Sequence, residues 1–155
     1  MQQVWQIRQM MALAMLAVCT FTDIKERNIY IVPLLIPSAA AAVITVISYI
    51  TAEGAFDTQV LFEYILLPVS AGMILIAVTG SLKDHIGEGD ALLCAALFIV
   101  IGVTKSLYVI MIGSVAAAFY AAAVIICKKR ESIRTVPFAP FMMTGFMVIL
   151  MDEIL

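Results

Sequence analysis

Asp23 and Asp90 are the two residues of this chain whose type and placement could carry chemistry together. Asp23 closes one apolar run and Asp90 opens another. Two carboxyl groups brought close together cannot both ionise cheaply. One then keeps its proton and can donate it to a carbonyl oxygen. The other stays ionised and takes a proton from a water held between them, a division of labour that hydrolyses an amide. Such a pair titrates as a unit, so the sequence does not say which aspartate is the acid. Read singly, each has a plainer role: Asp90 as a helix N-cap, and Asp23 as an interfacial partner of Arg27 at helical spacing. Placement raises the pair above these roles, and placement depends on the elements that carry them.

The chain has 155 residues, 64% of them hydrophobic and 13% charged, with a mean hydropathy of +1.10. An average soluble domain is about 45–50% apolar and about 25% charged. The composition excludes a water-soluble globular domain, a disordered chain and a nucleic-acid binder. Apolar runs fall at 5–22, 30–51, 61–80, 91–104, 107–127 and 136–151. A span needs about 20 apolar residues, so six would use about 120 and leave only short loops. The expectation is an all-α, polytopic membrane protein, a bundle of about six transmembrane helices forming a single domain over 1–155. The first run reads as a retained span because five more follow it; Leu16-Ala17-Val18-Cys19 departs from a lipoprotein cleavage box at Val18. Pro33 and Pro37 are expected to kink or offset the start of the second helix. Thr104-Lys105-Ser106 is expected to divide the fourth and fifth. Gly113, Ala117 and Ala121 recur at four-residue spacing, which lets helix backbones approach closely. Cys19, Cys94 and Cys127 lie far apart in apolar surroundings, without disulfide or metal-ligand spacing, and read as packing residues.

Orientation follows from Lys and Arg in the short loops. With six spans, one side holds loops 23–29, 81–90 and 128–135, with Lys25, Arg27, Lys83, Lys128, Lys129, Arg130 and Arg134. The other side holds Arg8 and Lys105. Seven against two places the first side in the cytoplasm, and Asp23 and Asp90 both stand on it, at one depth. Gly87-Glu88-Gly89 leads into Asp90; glycines admit backbone angles and close approach that side chains forbid, so a peptide could lie flat there. A helix start also favours the negative charge of Asp90. His85 has no matching His or Cys cluster and reads as a loop residue. Glu26, Asp84 and Glu88 read as solvated loop charges that could also attract a basic peptide.

Gly87-Glu88-Gly89-Asp90 resembles the GxGD signature of intramembrane aspartyl proteases. Three further stretches narrow the likeness to the type IV prepilin peptidase family. Asp23-Ile24-Lys25-Glu26-Arg27-Asn28-Ile29 resembles its Asp-leading basic loop. Asp90-Ala91-Leu92-Leu93-Cys94-Ala95-Ala96-Leu97 resembles the helix after GxGD. Val136-Pro137-Phe138-Ala139-Pro140-Phe141, with Gly145 following, resembles its late Pro-Phe-x-Pro-Phe motif. The first loop reads Ile29-Tyr30-Ile31 where that family often has Ile-Pro-Asn, and Leu92 stands where a lysine is common.

The resemblance implies a multi-pass endopeptidase of the cell membrane, working at its cytoplasmic face without metal or other cofactor. It would remove the short basic leader of prepilins or pilin-like membrane proteins, typically just after a glycine. By match of motif Asp23 and Asp90 would be the catalytic dyad, and Gly87 and Gly89 would shape the turn that holds Asp90. Long members also carry a cysteine-rich domain and methylate the product; this chain resembles the short, peptidase-only form. Other classes predict other behaviour. A small transporter would place carboxylates along a path open to each side in turn. A non-catalytic pilus or secretion assembly factor would tolerate Asp→Asn changes. A presenilin-like protease would carry its first Asp within a longer span.

Overall fold

A computed structural model describes residues 2–26, 29–51, 62–81, 87–126 and 137–154. Among the described residues six α-helices answer the six apolar runs. They are α1 (Gln2–Glu26), α2 (Val32–Thr51), α3 (Leu67–Ser81), α4 (Glu88–Ile101), α5 (Val103–Ile126) and α6 (Ala139–Ile154). A π-helical turn, Phe62–Leu66, leads into α3. No strand occurs among the described residues. Arg27, Asn28, the loop 52–61, Lys83, Asp84, His85, Cys127, Lys128, Lys129, Arg130, Arg134 and Val136 lie outside the described residues, as does the Glu88 side chain. The charge count that orients the chain rests largely on these positions.

Helix α4 is apolar all round from Ala91, and such a helix belongs in an interior. It is packed against α1, α2, α3 and α5. Ala91, Leu93, Cys94, Ala95, Ala96, Leu97, Phe98, Val100 and Ile101 are all buried. Around it the core is completed by Ala12, Met15, Leu16 and Cys19 of α1, Leu34 and Ala41 of α2, Val109 of α5, and Met142 and Phe146 of α6. The outside is apolar as well. On α5, Met111, Val115, Phe119, Ile125 and Ile126 stand exposed, Ile126 at 78%. Exposed large apolar side chains in such number mark contact with something other than water. Two stretches, Val4–Glu26 and Val103–Ile126, are long and apolar enough to cross a membrane; Val32–Ser48, Leu67–Ser81, Gly89–Ile101 and Ala139–Asp152 are shorter apolar helices.

One boundary differs from expectation. The break between α4 and α5 falls at Gly102, not at Thr104-Lys105-Ser106. Gly102 takes φ 83°, ψ 160°, which a residue with a side chain rarely adopts. Its N–H closes α4 on the carbonyl of Phe98 at 3.1 Å, and its carbonyl accepts the N–H of Ser106 at 3.1 Å and the Ser106 hydroxyl at 2.7 Å. The three polar residues thus form the first turn of α5 instead of a loop. Helix α2 runs on through Pro37, while Pro33 sits in its first turn, where no intrahelical donor is required. The small-residue stripe of α5 is used at Gly113, and its partner is Gly145 of α6. A Cβ on Gly145 would stand 2.6 Å from the Val109 carbonyl oxygen, and one on Gly113 would stand 2.9 Å from that of Phe141. The two helices meet backbone to backbone there.

Candidate active site

Asp23 sits in the last turn of α1, yet only 7% of it is exposed. A buried carboxylate needs a donor, and the donor is a backbone amide. Ala139 N–H donates to Asp23 Oδ2 at 3.0 Å. The start of α6 explains why that amide is available. The first amides of a helix have no partner within it. Pro140 has no N–H, and the amides of Phe141 and Met142 turn back to the Phe138 carbonyl at 3.1 and 3.2 Å. Ala139 is left to reach outward. A negative charge at a helix start is also favoured by the helix dipole.

Asp90 is the third residue of α4 and is half-buried. The N-cap position belongs to Gly87, at φ −61°, ψ 124°, with no side chain capping the helix. The N-cap role that Asp90 could have filled is therefore not the one it has. The N–H groups of Asp90 and Ala91 bond the Gly87 carbonyl at 3.1 and 3.3 Å, which leaves the carboxyl out of the capping network. Gly87 and Gly89 both act through space and not through unusual backbone angles, since neither takes a positive φ. A Cβ on Gly87 would come within 3.2 Å of Asp90 Oδ2. A Cβ on Gly89 would come within 3.1 Å of the Ile29 Cβ. The second contact joins the two motif segments, because Ile29 belongs to the link that follows Asp23.

Asp23 and Asp90 stand at the same end of α1 and α4, as the close contact between Gly89 and Ile29 requires. Cys19 and Cys94, one helical turn deeper on the same two helices, are buried. They give the pair an apolar floor, in keeping with their reading as packing residues. At the other end of α1 and α4 stands Arg8, 3% exposed. Its guanidinium donates through Nε to the Val100 carbonyl at 2.8 Å and through Nη2 to that of Ile99 at 2.9 Å. A cation on the last carbonyls of a helix is favoured by the same dipole. Nearby, the Lys105 ammonium lies 3.7 Å from the centre of the Trp5 ring. Helices α1 and α4 are therefore antiparallel, with both aspartates at one end and Arg8 with Lys105 at the other.

Three residues of this arrangement carry roles that reading the sequence did not assign: Ala139, Ile29 and Arg8. The first stood inside a stretch noted only as a likeness. The signal that could have found it is Pro140, which marks a helix start and removes the competing donor. Around the site, Tyr30 donates its hydroxyl to the Glu26 carboxylate, so Glu26 is engaged at the exposed rim.

The fold is that of an all-α membrane protein, and Asp23 and Asp90 lie at one end of its bundle. The profile of the type IV leader peptidase family matches residues 10–122. The chain belongs to that family and is a peptidase. The matched region takes in both aspartates and Gly87-Glu88-Gly89, and it stops short of Pro137–Phe141. No curated protein and no solved structure matches the chain.

Proposed function

We propose that this peptidase is an aspartic endopeptidase that cuts the short basic leader from type IV prepilins or pilin-like proteins. It works as a single multi-pass domain in the cell membrane, with its site at the cytoplasmic face. Asp23 and Asp90 are the catalytic dyad, and Gly87 and Gly89 make room for Asp90 and for the chain that follows Asp23. The observation that supports this reading is the placement of Asp23 and Asp90 at one end of two antiparallel helices, where Ile29 meets Gly89 while Arg8 bonds the far end of α4.

The step is a hydrolysis. The ionised carboxylate takes a proton from a water; the water oxygen bonds to the scissile carbonyl carbon as the second carboxyl gives its proton to the carbonyl oxygen. Collapse of the tetrahedral intermediate breaks the C–N bond: the first carboxyl passes the water's proton to the departing amine nitrogen, and the hydroxyl returns its proton to the second carboxylate. The low exposure of Asp23 supports this, because a site that excludes bulk water strengthens each of these interactions. The substrate is a single apolar helix whose leader junction unwinds at the cytoplasmic rim. A glycine at the cut eases that unwinding. Exposed Glu26 stands where a basic leader would pass. The test is leader removal from a pilin-like substrate, in membranes or detergent, by Asp23→Asn and Asp90→Asn proteins. The proposal predicts that both fail; normal cleavage by either sinks it.

A further inference from the structure

We infer that the first turn of α6 is a positioning device for Asp23, in which the Ala139 N–H holds one carboxylate oxygen and the α5–α6 crossing holds Ala139. The inference rests on the aspartic reading above and adds to it residues outside the proposed catalytic pair.

Three observations carry it. Ala139 is fully buried and its N–H donates to Asp23 Oδ2 at 3.0 Å. A carboxylate fixed through one oxygen presents the other, Oδ1, in a defined direction. The same turn of α6 is seated against α5 at Gly113. A Cβ there would stand 2.9 Å from the Phe141 carbonyl oxygen and 3.1 Å from the Met142 sulfur. One turn further on, Gly145 lies against the Val109 carbonyl, where a Cβ would stand at 2.6 Å. Tyr120 adds a ring contact to Phe141, with centroids 5.5 Å apart. Helix α6 therefore cannot slide toward or away from α5 without taking Ala139 with it. Because a misplacement of about 1 Å can cost about 100-fold in rate, the packing of Gly113 and Gly145 reaches the chemistry through one hydrogen bond.

The experiment replaces residue 139 with the α-hydroxy acid analogue of alanine by stop-codon suppression in the full chain. This removes the N–H and keeps the side chain. The expected result is a kcat lower by about 10- to 100-fold, with KM changed by less than about twofold, since the bond acts on the reacting groups and not on leader binding. A second measurement needs no change at position 139. In protein with its alanines labelled with 15N, the Ala139 amide proton should exchange slowly, and its resonance should move upfield in Asp23→Ala protein. The Asp23→Asn and Asp90→Asn proteins are assayed alongside. If they still cleave, the aspartic reading fails. If they are dead while the ester protein keeps the wild-type kcat, or if the Ala139 resonance ignores Asp23, the positioning inference fails and the reading stands.

Discussion

Arg8 and Val100 are joined by a 2.8 Å hydrogen bond at the end of α1 and α4 remote from Asp23 and Asp90. The two helices are thus pinned at both ends: by Arg8 at one, and by the surroundings of the two carboxyl groups at the other. A buried cation is tolerated there because the last carbonyls of α4 take up its donors.

Arg8→Met should therefore destabilise the fold without touching the reacting groups. Hydrogen bonds to a charged group contribute about 1.5–3 kcal/mol each. The loss of two, with the Ile99 and Val100 carbonyls left short of a donor, should cost about 3 kcal/mol or more. Thermal unfolding in detergent measures this. A midpoint equal to wild type would show that the bonds are replaced at no cost.

Gly87 and Gly89 should respond differently to alanine. Gly87→Ala puts a methyl group 3.2 Å from Asp90 Oδ2, so its effect falls on the carboxyl. The expected outcome is a kcat reduced by about 10-fold or more with little change in stability. Gly89→Ala meets the Ile29 side chain at 3.1 Å and should cost about 1–3 kcal/mol as overpacking. Adding Ile29→Ala, which removes the Cγ1 and Cδ1 atoms near the new methyl, should recover part of that loss. The coupling is read from a double-mutant cycle of unfolding midpoints; strict additivity of the two changes would contradict the contact.

Membrane orientation makes a separate prediction. Lys25 and Thr104 are an exposed pair at opposite ends of the bundle. In a background without native cysteines, Lys25→Cys should be modified by a membrane-impermeant thiol reagent only from the cytoplasmic side, and Thr104→Cys only from the other. Labelling of both from one side would break the link between the charge count and the site.

Much of the fold is legible in the chain itself. A helix that faces lipid or a bundle interior must be apolar over most of its surface, so the six runs announce α1 to α6 to within a few residues. The alternation of six runs puts Asp23 and Asp90 on one side before any contact is known, and the antiparallel packing of α1 and α4 brings them to one end. Other features carry no such mark. Gly102 ends α4 because it can take φ 83°, but Thr104, Lys105 and Ser106 are more polar and draw the boundary away from it. The Ser106 hydroxyl bond to the Gly102 carbonyl turns that polarity into a helix start. The donor to Asp23 is a backbone N–H, which every residue but proline possesses, so residue type does not reveal it. Gly113 announces a close approach, yet its partner Gly145 is set by how α6 packs, which depends on the whole bundle. Gly87 and Gly89 read as a turn that admits unusual backbone angles and close approach, and it is the close approach, to Asp90 and Ile29, that the structure uses.

The most direct test of the dyad is a cycle of cleavage rates for wild type, Asp23→Asn, Asp90→Asn and the double variant on one pilin-like substrate. Groups that act as one unit are strongly non-additive. The dyad predicts that each single change lowers kcat by about 1,000-fold or more and that the double variant is no worse than either alone. A single variant retaining wild-type kcat, or two losses that multiply in the double variant, would contradict it.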